Sequence, residues 1–385
     1  MKRFLAFLLA LLIPLCVLAE EPEPTEEPAG VDLLVDQQFG RRSHQVHCGE
    51  IVVARDGKII YQRSFGYLDG TNRTVPVTSD NYYRIASVSK LVTATAVMRL
   101  VELGEWDLDE NIGTYLGGDN PFFAASRRYP KVGITTRMLM SHTSCIWVDR
   151  FAEKPPMIKF LTPKTSNIEY FYEEKPGTKY HYSNYAAGML GCMIEVITGQ
   201  RLDDAVTELI FDRMGIDAAY SPDYLNYPDR ITSEVEREYS DGIDIDHDYV
   251  FSYGNCWMRC MDLCRIGMML CDGGVYEGRR ILEEDTVQQM ISSQMGVGGI
   301  TVDSPYGLNV QRVNIPTFDS ELMFYGHQGM SGNCLCAVYF NPETRFVFAM
   351  TSVCTDPKNN MGKQYTLRNL VYDLFKVAWE EFGGR

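Results

Sequence analysis

The sequence predicts an α/β domain in which one sheet is built from both ends of the chain and helices are inserted between its halves. Three observations carry this. Two β-rich segments near the N-terminus, IVVAR and KIIYQRSFGY, flank Asp56-Gly57, a two-residue hairpin turn. A second pair, Leu335 to Phe340 and Arg345 to Val353, flanks Asn341-Pro342-Glu343-Thr344. Between the pairs, residues 105–235 alternate apolar helical stretches with Pro- and Gly-rich joints. The 385 residues, 45% of them hydrophobic, suffice for a large core and exclude a disordered or collagen-like chain.

Residues 1–19 read as an export signal: Lys2 and Arg3, an apolar run from Phe4 to Leu18, and the small-residue site Val17-Leu18-Ala19. The run is shorter than the roughly 20 residues that span a bilayer, so a secreted or extracytoplasmic protein with no stable membrane span is expected. Leu15 before Cys16 argues against a lipid attachment site. Residues 20–40 are assigned to a linker, because EPEPTEEPAG (Glu21 to Gly30) is too acidic and proline-rich to build a core. The folded domain is then 41–385.

Within that domain, Ser87 to Leu103 is a helix apolar on nearly all sides, hence buried, and Gly104 stops it. Further helices are expected over Ala186 to Thr198, closed by Gly199, and from about Met258 to Leu270. A terminal helix carries the stripe Leu367, Leu370, Val371, Leu374, Phe375 and Ala378.

Charge and cysteines narrow the function. The formal charge is −15, and −17 once Lys2 and Arg3 leave with the signal, which argues against a nucleic-acid partner. Ten of the 11 cysteines remain after cleavage, in a compartment where disulfides can form, but spacing does not reveal pairing. Cys256, Cys260 and Cys264 recur every four residues and read as buried apolar side chains on one helical face. His44-x-x-His47-Cys48 is weak as a metal motif because it leads into a strand. Neither a metal nor another cofactor is expected.

The chemistry centres on Ser87-Val88-Ser89-Lys90. A helix N-terminus has unpaired N–H groups and a positive dipole end, which stabilise negative charge on a serine there. Lys90 lies one turn on, on the same face; if desolvated, its neutral amine can take the serine proton. Ser87 is the one serine in the chain with lysine three places later. Tyr182-Ser183-Asn184 sits at the mouth of the Ala186 helix, where a phenol could relay protons and an amide could hold a substrate carbonyl. Tyr224-Leu225-Asn226 and Tyr253-Gly254-Asn255 share the Tyr-x-Asn pattern but not that position. Gly326-His327-Gln328-Gly329 follows a strand, and its glycines allow close approach to the backbone.

Together, Ser-x-x-Lys, Tyr-x-Asn and His-x-Gly in this order resemble the serine β-lactamase-related family, and YYRIASVSK, ITTRMLMSHTSCI, PGTKYHYSNYAAGMLG and YGHQGMSGN are similar to its class C-like and esterase-like branch. The resemblance spans roughly residues 45–380. It implies a β-lactamase-like fold, an antiparallel sheet flanked by helices beside an all-helical subdomain, with the active site between them. It implies Ser87 as acylated nucleophile, Lys90 as its proton partner, Tyr182 as general base and acid, and His327 as a fourth catalytic group. Asn184, Gln328 and Gly329 would bind substrate, with His327-Gln328-Gly329 forming an edge-strand wall. The backbone N–H groups of Ser87 and Met330 would form the oxyanion hole. His142 would be a structural landmark outside the site, followed unusually by Cys145 in place of glycine.

The expected activity is hydrolysis of an ester or amide through an acyl-enzyme. D-alanyl cell-wall peptides and small esters or amides rank ahead of β-lactams, because a histidine, mostly neutral at pH 7, stands where β-lactamases carry the lysine of Lys-Thr-Gly. The alternatives are a non-catalytic relative that binds cell-wall peptides and a true class C-like β-lactamase.

Overall fold

The structure, a computed structural model, describes residues 30–39, 46–69, 73–151, 157–164, 167–232, 251–314, 322–331, 334–354 and 364–383. The proposed export signal lies outside them. From the N-terminus run α1 (Gly30–Phe39), β1 (Val46–Arg55), β2 (Lys58–Gly66), β3 (Tyr83–Arg84) and α2 (Ser89–Glu102). The helical insertion follows with α3 (Gly113–Leu116), α4 (Thr136–Met140), α5 (Met157–Leu161), α6 (Asn184–Thr198), α7 (Leu202–Val206) and α8 (Asp212–Met214). Then come β4 (Ala218–Ala219), β5 (Trp257–Met258), α9 (Cys260–Cys271), β6 (Val275–Tyr276), β7 (Arg279–Arg280) and α10 (Glu284–Ile291). The chain returns to the sheet as β8 (Gln311–Asn314), β9 (Met323–Ser331), β10 (Cys334–Asn341) and β11 (Phe346–Cys354), and ends in α11 (Gln364–Phe382).

The two ends of the chain do share one sheet, of order β2-β1-β11-β10-β9-β8 with antiparallel pairing throughout. The first hairpin closes as expected, with Asp56 and Gly57 at φ +51° and +73°, left-handed values that match strand twist. β1 and β11 then join N- and C-terminal halves through pairs such as Ile51↔Met350 and Val53↔Phe348. Every residue of β11 is buried, as a central strand covered on both faces requires. One face, with Val52, Val338 and Ala349, packs on α2 and α9; the other, with Ile51, Leu335 and Phe348, packs on α11 through Val371, Leu374 and Phe375.

Four local expectations change. The linker assigned to 20–40 is helical over Gly30–Phe39, where Val31 and Val35 are buried in the α11 cluster and Asp32 pairs with Arg63 of β2. The acidic prolines stop short of VDLLV, whose apolar residues find their main partner in the C-terminal helix. Cys256 lies before β5, so of the three only Cys260 and Cys264 share the α9 face; the ten cysteines from Cys48 to Cys354 are all buried. Ser87 sits in a 3-10 turn, Ala86–Val88, that leads into α2. His327, expected just after a strand, lies inside β9.

Candidate active site

Ala86 takes φ +44°, and this left-handed residue turns the chain from β3 into the 3-10 turn that presents Ser87. The turn is locked from several sides. The Ile85 N–H donates to the Cys256 carbonyl at 2.9 Å, Ser89 Oγ donates to Ala86 O at 2.6 Å, and the Cys256 N–H donates to Ser89 Oγ at 3.0 Å. Ser87 keeps partial exposure while its neighbours Ala86 and Val88 are buried.

Lys90, fully buried on α2, donates from Nζ to Ser87 Oγ at 3.0 Å and to the Tyr253 carbonyl at 2.9 Å. Burial pushes its ammonium down from 10.5 to about 7, while Asp149 pulls it the other way. Near neutral pH the amine is therefore available as a base. Its Nζ lies 5.2 Å from the ring centre of Tyr182 and 5.1 Å from that of Tyr253.

Tyr182 reaches this point because α6 starts immediately after it. Ser183, rather than Asn184, caps the helix: its Oγ accepts the Ala186 N–H at 3.1 Å and itself donates to Asp149. Asp149 also accepts the Tyr185 N–H at 3.0 Å, so the carboxylate anchors the helix end that carries Tyr182. Asn184 is the first helical residue and half-buried.

The wall opposite is β9. β8 pairs only with Met323–Gly326, so the outer edge of His327–Ser331 has no strand partner among the described residues. Gly329 crosses the nucleophile turn so closely that a Cβ there would stand 2.5 Å from Ile85 O and 3.0 Å from Ser87 N. Arg84 fixes the far end of this wall by donating to the Ser331 carbonyl at 3.0 Å. Gly329 thereby brings the next backbone unit, Met330, alongside Ser87, which suits their expected roles as oxyanion donors.

Two wall residues differ from expectation. Gln328 pairs opposite Ala337, which belongs to the α11 side of the sheet, so its side chain points away from Ser87 and only its backbone lines the crevice. His327 faces the crevice side but is 1% exposed, and burial with Lys90 nearby pushes it down to about 3. Its Nδ1–H donates to Gln328 O at 2.7 Å, and its ring lies 5.5 Å from Tyr306. At neutral pH it is an uncharged imidazole, not a proton donor to substrate.

Ser87, Lys90, Tyr182 and the β9 wall thus come together in space, with Asn184 two residues beyond Tyr182 at the start of α6. Sequence reasoning missed Tyr253, Asp149 and Tyr306. Tyr253 lacks the place at a helix mouth that singles out Tyr182, yet its carbonyl holds Lys90. Asp149 and Tyr306 lie in no recognisable spacing, and only their contacts reveal them. Among the described residues, no three His, Cys, Asp or Glu side chains gather as a metal site, and no helix is long and apolar enough to cross a membrane.

Comparison with known proteins places the chain in a family. The sequence profile of the family described as Beta-lactamase matches residues 31–372. Among curated relatives, "Penicillin-binding protein 4" of Amycolatopsis lactamdurans is 31% identical over 46% of this chain and 45% of its own length. "Esterase EstB" of Burkholderia gladioli is 30% identical over 49% and 50%. The chain thus spans about half the length of these curated relatives. Among solved structures, the octameric penicillin-binding protein homologue from Pyrococcus abyssi superposes with a TM-score of 0.65 at 20% identity, covering 85% of this chain and 74% of that one. D-amino acid amidase from Ochrobactrum anthropi SV3 gives 0.63 at 17% identity, covering 91% and 98%. With the family profile covering most of its length, the chain belongs to the Beta-lactamase family.

Proposed function

We propose that the protein is an exported hydrolase that cleaves an ester or amide through an acyl-enzyme on Ser87. The observation that carries this reading is the 3.0 Å contact from Lys90 Nζ to Ser87 Oγ, made by a fully buried lysine whose ammonium falls to about 7. A buried lysine is costly as mere structure, and its neutral amine is what a serine nucleophile needs.

In this reading the Lys90 amine takes the Ser87 proton as Oγ attacks the carbonyl carbon. The oxyanion settles on the N–H groups of Ser87 and Met330. Tyr182, beside Lys90, passes the proton to the departing alcohol or amine, and a water then attacks the acyl-enzyme by the reverse relay. Asn184 and the open backbone edge of β9 hold the substrate. D-alanyl peptides and small esters or amides are the proposed substrates, ahead of β-lactams. The relatives described as a penicillin-binding protein, an esterase and a D-amino acid amidase support that range.

Intact-protein mass after exposure to a fluorophosphonate tests the nucleophile. One adduct, mapped to Ser87 and lost in Ser87→Ala together with ester hydrolysis, is the expected result; full activity in Ser87→Ala overturns the assignment. Profiling on esters, D-alanyl peptides and a β-lactam then ranks the substrates. An N-terminus at Glu20 in protein recovered from outside the cytoplasm would match export, and an intact leader would count against it.

A further inference from the structure

Behind Tyr182 lie two buried imidazoles whose remaining nitrogens are complementary. His142, fully buried after α4, packs its ring 4.4 Å from Tyr182 and 4.9 Å, edge-on, from Tyr306. Its Nδ1 accepts the Ser183 N–H at 3.4 Å, which makes that nitrogen a lone-pair acceptor and places the ring proton on Nε2. His327 on β9 is the reverse: its Nδ1–H donates to Gln328 O, leaving Nε2 as the acceptor. Both Nε2 atoms are buried with no protein partner among the described residues. Each ring packs against Tyr306, and His327 is close enough to act electrostatically on His142. Burial keeps both rings neutral, with Lys90 adding to the effect on each and His327 to that on His142.

A buried donor and a buried acceptor facing one polar space are satisfied together by water, which accepts from one and donates to the other. Direct pairing would need the rings in contact, which neither makes. Neutral rings suit this role, since two imidazolium groups would both donate and leave the water no acceptor.

We propose that His142 Nε2–H and His327 Nε2 are joined by an ordered water bridge around Tyr306, which ties the helical side of the crevice to the β9 wall and sets Tyr182 against Lys90. His142 is then a positioning residue. One nitrogen holds the Ser183 backbone, next to Tyr182, and the other reaches β9 through water. This explains why a histidine with no path to substrate sits against the proton relay.

The inference rests on the acyl-enzyme reading only for its kinetic readout. Gln and Asn separate the two arms of His142, because a Gln amide reproduces the Nε2 donor and an Asn amide the Nδ1 acceptor. With the purified full-length protein, His142→Gln should retain acylation within about 3-fold, and His142→Asn should lose about 10-fold in kcat/KM. His327→Phe should lose a similar factor, and the double variant His142→Asn/His327→Phe should lose about 10-fold rather than about 100-fold, because both changes break one bridge. Multiplicative losses, or a His142→Gln no better than His142→Asn, would overturn the bridge. A crystal structure of the wild-type protein gives an answer independent of catalysis: water density linking the two Nε2 atoms supports the bridge, and its absence refutes it. Fluorophosphonate labelling of Ser87 in each variant keeps the two ideas apart, since an unlabelled wild type strikes the nucleophile assignment and leaves the crystallographic answer about the bridge unaffected.

Discussion

Gly329 passes so close to Ser87 that a methyl group on it would lie 3.0 Å from the Ser87 nitrogen. The wall and the nucleophile turn are therefore set against each other by the absence of one side chain. The same methyl would meet Cys336 Sγ at 2.7 Å and Ile85 O at 2.5 Å, so no flexible neighbour can yield.

Gly329→Ala should consequently push β9 away from the turn and spread the two oxyanion donors. A misplacement near 1 Å costs about 100-fold in rate. Steady-state hydrolysis of an activated ester, with circular dichroism as a check on folding, measures it. Wild-type kcat/KM in a folded Gly329→Ala protein would show that the wall does not set the oxyanion geometry.

Lys90 should give the pH dependence of acylation its shape. The amine is reactive when neutral, so kcat/KM rises as pH climbs and levels off above about 7. Stability runs by the same shift. The folded ammonium falls to about 7 from 10.5, so between those values the unfolded chain holds a proton that the native one lacks, and stability drops as pH falls towards 7. Lys90→Met removes that penalty: it should abolish acylation while raising the melting temperature at pH 6 relative to its effect at pH 10. A melting-temperature change of equal size at both pH values would contradict the neutral-amine assignment.

Glu50 offers a second titration, away from the crevice. It is fully buried on β1; Oε1 accepts from Gln62 Nε2 at 2.7 Å, and Oε2 has no hydrogen-bond partner among the described residues. Burial pushes the carboxyl up from 4.5 to about 7, with Asp262 adding to the effect. The native protein thus keeps a proton that the unfolded chain releases above 4.5, and stability falls as pH rises from 4.5 to about 7. Glu50→Gln should raise the melting temperature at pH 8 and leave it nearly unchanged at pH 4. Thermal scans at both values decide it, and a loss at pH 8 would mean that the carboxylate has a counter-charge.

The hairpins are legible in the sequence because their turn residues are local: Asp56-Gly57 and Asn341-Thr344 encode reversal within a few residues. The α6 boundary is legible to within two residues because Gly199, at φ +67°, closes it in the left-handed form. Its cap is not, since Ser183 and Asn184 are equally good caps in sequence and Asp149, 34 residues earlier, selects the serine. The α1 helix is hidden for a related reason. Ten residues of modest amphipathicity do not hold a helix alone; Val31 and Val35 are buried there by packing on distant segments, chiefly α11, more than 300 residues away.

By itself, the sequence singled out the candidate side chains, because Ser87 and Lys90 stand three residues apart at the head of an apolar helix and Tyr182 stands at the mouth of another. The tertiary structure alone decided what state those groups are in and which neighbours hold them. Burial beside Tyr182 and Tyr253 pushes the Lys90 ammonium down to about 7, His327 is pinned as an acceptor within β9, and Gln328 is turned away from Ser87 by strand register. Charge state and facing depend on what surrounds a group in space, and contacts between distant segments leave no spacing in the chain to be read.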